Sequence, residues 1–136
     1  MSTHKIGSIE WLDLTTPQAH EVRDFYQQGV GWTYEGVPMG AYEDYCMNEP
    51  EDGKTICGIC HQQGVNAAVP SGWIPYITVA NLDISLEQCL AHGGQVLGDI
   101  RYMGQQGRFA IIKDPSGAVS ALYEHLHPGY ERVQPG

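Results

Sequence analysis

The chain has 136 residues, a hydrophobic fraction of 42%, a charged fraction of 17% and a formal net charge of −9. That length suits one core-burying domain. The seven Lys and Arg are scattered singly, so there is no basic stripe to neutralise phosphates, which argues against nucleic acid and acidic membranes as partners.

In chain order, residues 8–15, SIEWLDLT, set Ile9, Trp11 and Asp13 against Leu12 and Leu14, the alternation of a strand with one apolar face. TTPQAHEVRDFYQQ comes next, with Thr16 as candidate N-cap and Pro17 at the first helical position. Ala19, Val22, Phe25 and Tyr26 fall at helical spacing, and Gly29 and Gly31 end the helix. Three short strands are expected in GWTYEG, GAYEDYCMNE and KTICGICH, with turns at residues 38–40 and 50–53.

Residues 64–72, GVNAAVPSG, read as a linker, and the plan then restarts. WIPYITVAN is a strand, and LDISLEQCLAHGG is an amphipathic helix with Leu82, Leu86, Cys89 and Leu90 as its stripe. QVLGDI, GRFAIIKD and GAVSALYEH supply three more strands, the last two joined by a turn at Asp114–Gly117. The order is therefore βαβββ twice, an α+β chain. The expected organisation is one domain over 6–125, with modules 6–63 and 73–125 and a Pro/Gly-rich tail over 126–136. Two such sheets side by side would form an open curled barrel, helices outside, with a concave ligand cleft. No apolar run approaches membrane-spanning length and the start MSTHKIGSIE has no apolar signal core, so a cytoplasmic location with reduced thiols is expected.

DFYQQGVGW (24–32), PYITVANLD (75–83) and GRFAIIKDPSGAVSAL (107–122) together resemble the vicinal-oxygen-chelate superfamily of glyoxalases, bleomycin-resistance proteins and extradiol dioxygenases, over roughly residues 6–125. Metal-using members are similar in placing a His or Gln on the first strand of each half and a Glu on the last strand of each half. Carried over, those positions fall on Trp11, Ile74 and Ala121, and the fourth within 55–60, where no carboxylate stands. Trp, Ile and Ala offer no ligand to a hard cation. The resemblance thus implies the fold without its usual metal set, and no cofactor is expected.

Cys57-x-x-Cys60-His61 spells a haem-attachment or redox motif. On a strand, residues three apart point to opposite faces, so the sulfurs cannot meet. The alternative reading is two small buried apolar cysteines. His61 is either a cleft histidine able to move a proton or a structural or exposed one. His125-Leu126-His127 is either a weak pair of ligands or a solvated chain end.

Trp11 and Asp13 are expected to face the cleft. Asp13 is a candidate base in a cavity lined with aromatics, or else it pairs with Arg108 or caps a backbone amide. Arg108 is equally a candidate anchor for an anionic ligand. Tyr42, Tyr45, Trp73, Tyr76, Tyr102, Met103 and Tyr123 are candidates for the wall, or for plain barrel packing. Phe25, Tyr26 and Trp32 are expected between helix and sheet.

These residues support three functional readings. The first is a binding protein holding a small organic molecule through Trp11, Tyr76, Met103, Arg108 and Tyr123. The second is a metal-independent isomerase or lyase with Asp13 or His61 as catalytic base. The third is a metal-dependent lyase or dioxygenase with displaced ligands drawn from Glu10, Asp13, His61, Glu124 and His125. A homodimer is expected by analogy with related proteins.

Overall fold

The computed structural model describes residues 4–126; of the expected tail, His127 and the residues after it lie outside them. The architecture is α+β, and the βαβββ order occurs twice. The first run is β1 (Ile9–Thr16), α1 (Ala19–Val30), β2 (Thr33–Pro38), β3 (Glu43–Asn48) and β4 (Thr55–His61). The second is β5 (Gly72–Thr78), α2 (Leu82–Ala91), β6 (Gln95–Met103), β7 (Gly107–Lys113) and β8 (Val119–His125). Two compact units result. One is Trp11–Pro75; the other joins the N-terminal segment through Glu10 to the chain from Tyr76 onward.

In the Trp11–Pro75 unit the strand order is β2-β3-β4-β1. β2, β3 and β4 pair antiparallel, and β1 lies parallel to β4 with Asp13 opposite Gly58 and Thr16 opposite His61. Leu14, Ala19, Tyr45, Met47, Cys57 and Ile59 form a buried cluster beneath α1, joined by Leu12, Val22 and Tyr26. Burying side chains as large as Met47 and Ile59 contributes about 1.5–3 kcal/mol each. Phe25 departs from expectation: it stays 67% exposed on the outer side of α1.

The start of α1 also differs from the sequence reading. β-branched Thr16 is held in the β1–β4 ladder, so the strand runs through it and the helix begins only at Ala19. Thr16 Oγ1 instead accepts a hydrogen bond from the Gln18 backbone N–H at 3.2 Å. At the other end Gly31 takes the left-handed conformation, φ 87°, and its N–H reaches the Gln27 carbonyl. Arg23 fastens the helix to the sheet. Its guanidinium lies 4.3 Å from the Tyr34 ring centroid and 4.7 Å from that of Tyr45, and donates to Asp24 Oδ1 at 2.8 and 3.0 Å. The segment read as a linker is part of this unit: a 3-10 turn at Gly64–Asn66 leaves Asn66 buried, and Gln62 Nε2 donates to the Val69 carbonyl at 2.7 Å.

In the second unit the order is β5-β8-β7-β6, with β5 and β8 parallel and the rest antiparallel. Leu82, Ala110, Ile112 and Leu122 are buried under α2, with Leu86 and Cys89 beside them. Leu90, expected in the same stripe, is 59% exposed. Asn81 caps α2, its Oδ1 accepting from Ile84 N–H at 3.1 Å. The N-terminal segment belongs here because Gly7 N–H donates to the Thr78 carbonyl and Thr78 N–H donates to the Ser8 carbonyl, both at 2.8 Å.

Candidate functional site

Each unit has one sheet face covered by its helix and one that is not. On β1, Leu12 and Leu14 go to the α1 side, so alternation turns Trp11 and Asp13 to the helix-free side. There the Trp11 indole Nε1–H donates to Asp13 Oδ1 at 2.6 Å. Gly58, opposite Asp13 in the ladder, makes room for the pair: a Cβ at position 58 would collide with Asp13 Oδ1 and come within 3.5 Å of the Trp11 ring. The neighbouring Cys46 thiol is pushed up by burial first and then by the Asp13 and Glu35 carboxylates.

Three residues beyond Gly58, His61 points the other way and does not join Asp13. It sits at the margin of the α1-side core, edge-on to Tyr42 at 5.2 Å and 6.0 Å from the Tyr45 ring. Asp44 holds it twice: Asp44 Oδ1 accepts from the His61 backbone N–H at 2.8 Å and lies 3.3 Å from Nδ1. The pairing with Asp44 links β3 to the end of β4 and fixes the ring. Cys57 is likewise buried on the α1 side, its thiol pushed up to about 11 by burial first and then by Asp13 and Cys46. Alternation sends Cys60 to the opposite face, and none of the four cysteines is in a disulfide.

On the helix-free face of the second unit, three aromatic rings run together. Tyr76 meets Phe109 edge-on at 5.3 Å, and Phe109 stacks on Tyr123 at 6.1 Å. The Arg101 guanidinium lies 5.0 Å over Phe109. Gly107 gives Tyr123 its place, since a Cβ there would strike the phenol ring. Burial pushes the Tyr123 hydroxyl pKa up. Met103 ends β6 opposite Gly107 and is exposed. Ile74 and Ala121, the positions on which two of the family's ligands were expected to fall, are buried and apolar.

Arg108 does not share that face. It turns toward α2, donating to Glu124 Oε1 at 2.9 Å and Asp83 Oδ2 at 3.2 Å. Glu124 Oε1 also accepts from Leu82 N–H at 2.7 Å, tying β8 to the first turn of α2. Burial alone would lower the Arg108 pKa, but the Glu124 and Asp83 hydrogen bonds outweigh it and raise it. The expected anchor for an anion is therefore committed to two carboxylates, and its expected partner Asp13 is instead held by Trp11. The cation over the aromatic face is Arg101, which the sequence reading did not single out; its pairing with Phe109 across β6 and β7 is the signal that could have found it.

Of the displaced-ligand candidates, only Glu10 and His125 come together, and they are joined by His4. Glu10 Oε1 is 2.7 Å from His4 Nδ1, and Oε2 is 3.5 Å from His125 Nε2. Thr78 Oγ1 donates to Glu10 Oε2 at 2.7 Å. The two imidazoles stack with centroids 3.4 Å apart and planes 6° from parallel. Asp13, His61 and Glu124 have the other partners described above.

No helix among the described residues is long and apolar enough to cross a membrane. The chain is 29% identical over 128 residues to the Mycobacterium tuberculosis protein named "Putative glyoxylase CFP32", covering 90% of this chain and 48% of that one. It is 26% identical over 132 residues to the anthracycline biosynthesis protein DauV of a Streptomyces species, covering 86% of this chain and 46% of that one. The chain spans about half the length of these curated relatives. The crystal structure of methylmalonyl-CoA epimerase from Mycobacterium tuberculosis is similar in fold, with a TM-score of 0.57, 13% identity and 93% coverage of both chains. Residues 8–121 match the model of the Glyoxalase/Bleomycin resistance protein/Dioxygenase superfamily, and the chain belongs to that family.

Proposed function

We propose that this chain binds a small organic molecule with a flat conjugated portion, and that the metal positions used by metal-dependent relatives play no part in it. One observation carries the reading. On the helix-free face of the second unit the half-buried Tyr123 stacks on Phe109, which meets Tyr76 edge-on and lies beneath the Arg101 guanidinium; Tyr76 and Phe109 are buried behind it, and the Ile74 and Ala121 side chains provide no donor atom. Aromatic rings with polar tips gain from stacking on a planar ligand, and a guanidinium beside them favours a carbonyl or carboxylate on its edge.

The test is a thermal-shift screen of planar aromatic and carbonyl compounds. A ligand at about 100 times its Kd raises native stability by roughly 2.7 kcal/mol. Hits are expected whose shift is lost in Tyr123→Ala and Tyr76→Ala. Hits that keep their full shift in both variants would place binding elsewhere and overturn the reading.

A second reading is favoured by the Trp11–Asp13 contact on the helix-free face of the Trp11–Pro75 unit. The indole N–H fixes the orientation of the half-buried Asp13 carboxylate, and a positioned carboxylate can accept a proton, so a metal-independent isomerase or lyase would use Asp13. His61, oriented by Asp44, is the alternative base. Turnover of a hit that vanishes in Asp13→Asn, with binding retained, supports the enzyme; tight binding without turnover supports the binder. The family resemblance further suggests a cytoplasmic homodimer, for which light scattering should return twice the 15.0 kDa chain mass.

A further inference from the structure

We propose that His4, Glu10 and His125 form a binding site for a borderline divalent cation of the zinc type. The site is distinct from the ligand positions of metal-using relatives and stands independently of the small-molecule reading. The three side chains converge from separate stretches: His4 from the segment before β1, Glu10 from β1, and His125 from the last position of β8. All belong to one compact unit. Their ligand atoms lie within 4.8 Å of one another. Atoms that share one zinc ion sit roughly 3–3.5 Å apart, because each bond is about 2.0–2.2 Å long. Glu10 reaches both rings, with Oε1 2.7 Å from His4 Nδ1 and Oε2 3.5 Å from His125 Nε2, so its carboxylate bridges the two imidazoles. The rings now lie stacked, 3.4 Å apart and 6° from parallel, so binding requires the exposed His4 ring to turn out of the stack until its lone pair meets that of His125 at the ion.

The donor chemistry narrows the cation. Two imidazoles and one carboxylate suit zinc and its neighbours better than magnesium or calcium, which take oxygen ligands. Three protein ligands leave a fourth position for water, and the side chains are 40%, 34% and 25% exposed for His4, Glu10 and His125, so an ion has a path in. The supporting groups are present as well. Thr78 Oγ1 donates to Glu10 Oε2 at 2.7 Å and holds the carboxylate, while the single Ser8 hydroxyl proton is shared between the Lys5 carbonyl at 2.6 Å and Glu10 Oε2 at 3.1 Å. The alternative is a hydrogen-bonded cluster in which N–H tautomers of both rings simply donate to Glu10, and it makes the opposite prediction.

The experiment uses the full chain, stripped with chelator, dialysed and titrated with ZnCl2 by calorimetry, with CoCl2 absorption as a second readout. About one ion per chain is expected, with ligand-field bands from Co2+ in a nitrogen and oxygen environment. Affinity should fall at least about tenfold in each of Glu10→Gln, His125→Ala and His4→Ala, on the scale that removing even a supporting group produces. His92→Ala, at the end of α2, should leave it unchanged. His4 lies outside every strand, so His4→Ala keeps the test valid if a strand variant fails to fold. Absence of zinc binding by the unaltered chain, or affinity in His4→Ala and Glu10→Gln equal to that of the unaltered chain, overturns the proposal.

Discussion

Asp13 occupies the space that a side chain at position 58 would need, and Gly58 is the residue opposite it in the β1–β4 ladder. Gly58→Ala should therefore swing the carboxylate off the Trp11 indole. Losing that hydrogen bond costs about 1 kcal/mol. Urea unfolding of Gly58→Ala and of Trp11→Phe should give similar losses, and the double variant should lose little more than either. Additive losses would show that the two changes act on separate contacts.

Arg23 should prove hard to replace. Its guanidinium stacks against Tyr34 and Tyr45 while donating twice to Asp24, and a lysine ammonium cannot reproduce a planar two-ring contact. Arg23→Lys is expected to cost about 1–2 kcal/mol in urea unfolding. A cost below about 0.5 kcal/mol would mean that an ammonium serves the two rings as well as the planar guanidinium does.

Acid sensitivity should trace to Glu10. The hydrogen bond to His4, then that to Thr78, holds its carboxyl at about 2 against an ordinary 4.5. The folded value lies below the unfolded one, so the stabilisation is complete above about pH 4.5 and is lost as pH falls toward 2. Glu10→Gln should flatten that part of the stability-versus-pH curve and leave the curve's shape above it intact. An unchanged acid limb would assign the loss to other carboxylates.

The thiols should differ in reactivity. With its pKa near 11, Cys57 carries almost no thiolate at pH 8. Iodoacetamide followed by peptide mass spectrometry should leave it unmodified in the folded chain and alkylate it after denaturation. Under mild oxidants no Cys57–Cys60 bridge is expected. Finding one would mean that β4 does not keep its alternation.

Much of the scaffold was legible in the sequence because periodicity reports which face is buried. Leu12 and Leu14 against Trp11 and Asp13 name a face without help from outside the strand, whereas Phe109, Ala110, Ile111 and Ile112 are apolar and buried on both faces, so that run marks a strand and no face. Capping was less readable. Thr16 looks like an N-cap, but ladder pairing with β4 competes for its backbone and wins, so the helix starts two residues later than expected, at Ala19. Leu90 and Phe25 fit helical spacing yet fall on the outer flank, because each sheet covers a narrower arc of its helix than the apolar letters suggest.

The polar contacts were the least legible. Arg108 meets Asp83 and Glu124 across α2 and β8, so its commitment is visible only once three elements are in place. His4 and His125 come together only because the N-terminal segment runs beside Thr78. Nothing in the local sequence of either histidine signals the other.

That same segment changes how the two repeats relate to the gene. Gly7 and Ser8 hydrogen-bond to Thr78, so the Trp11–Pro75 unit is inserted within the sequence of the other rather than preceding it in tandem. Exchanging a whole unit with a relative therefore takes two crossovers, one on each side of Trp11–Pro75. A single crossover in the 64–72 segment would deliver a second unit without the N-terminal segment that pairs with it.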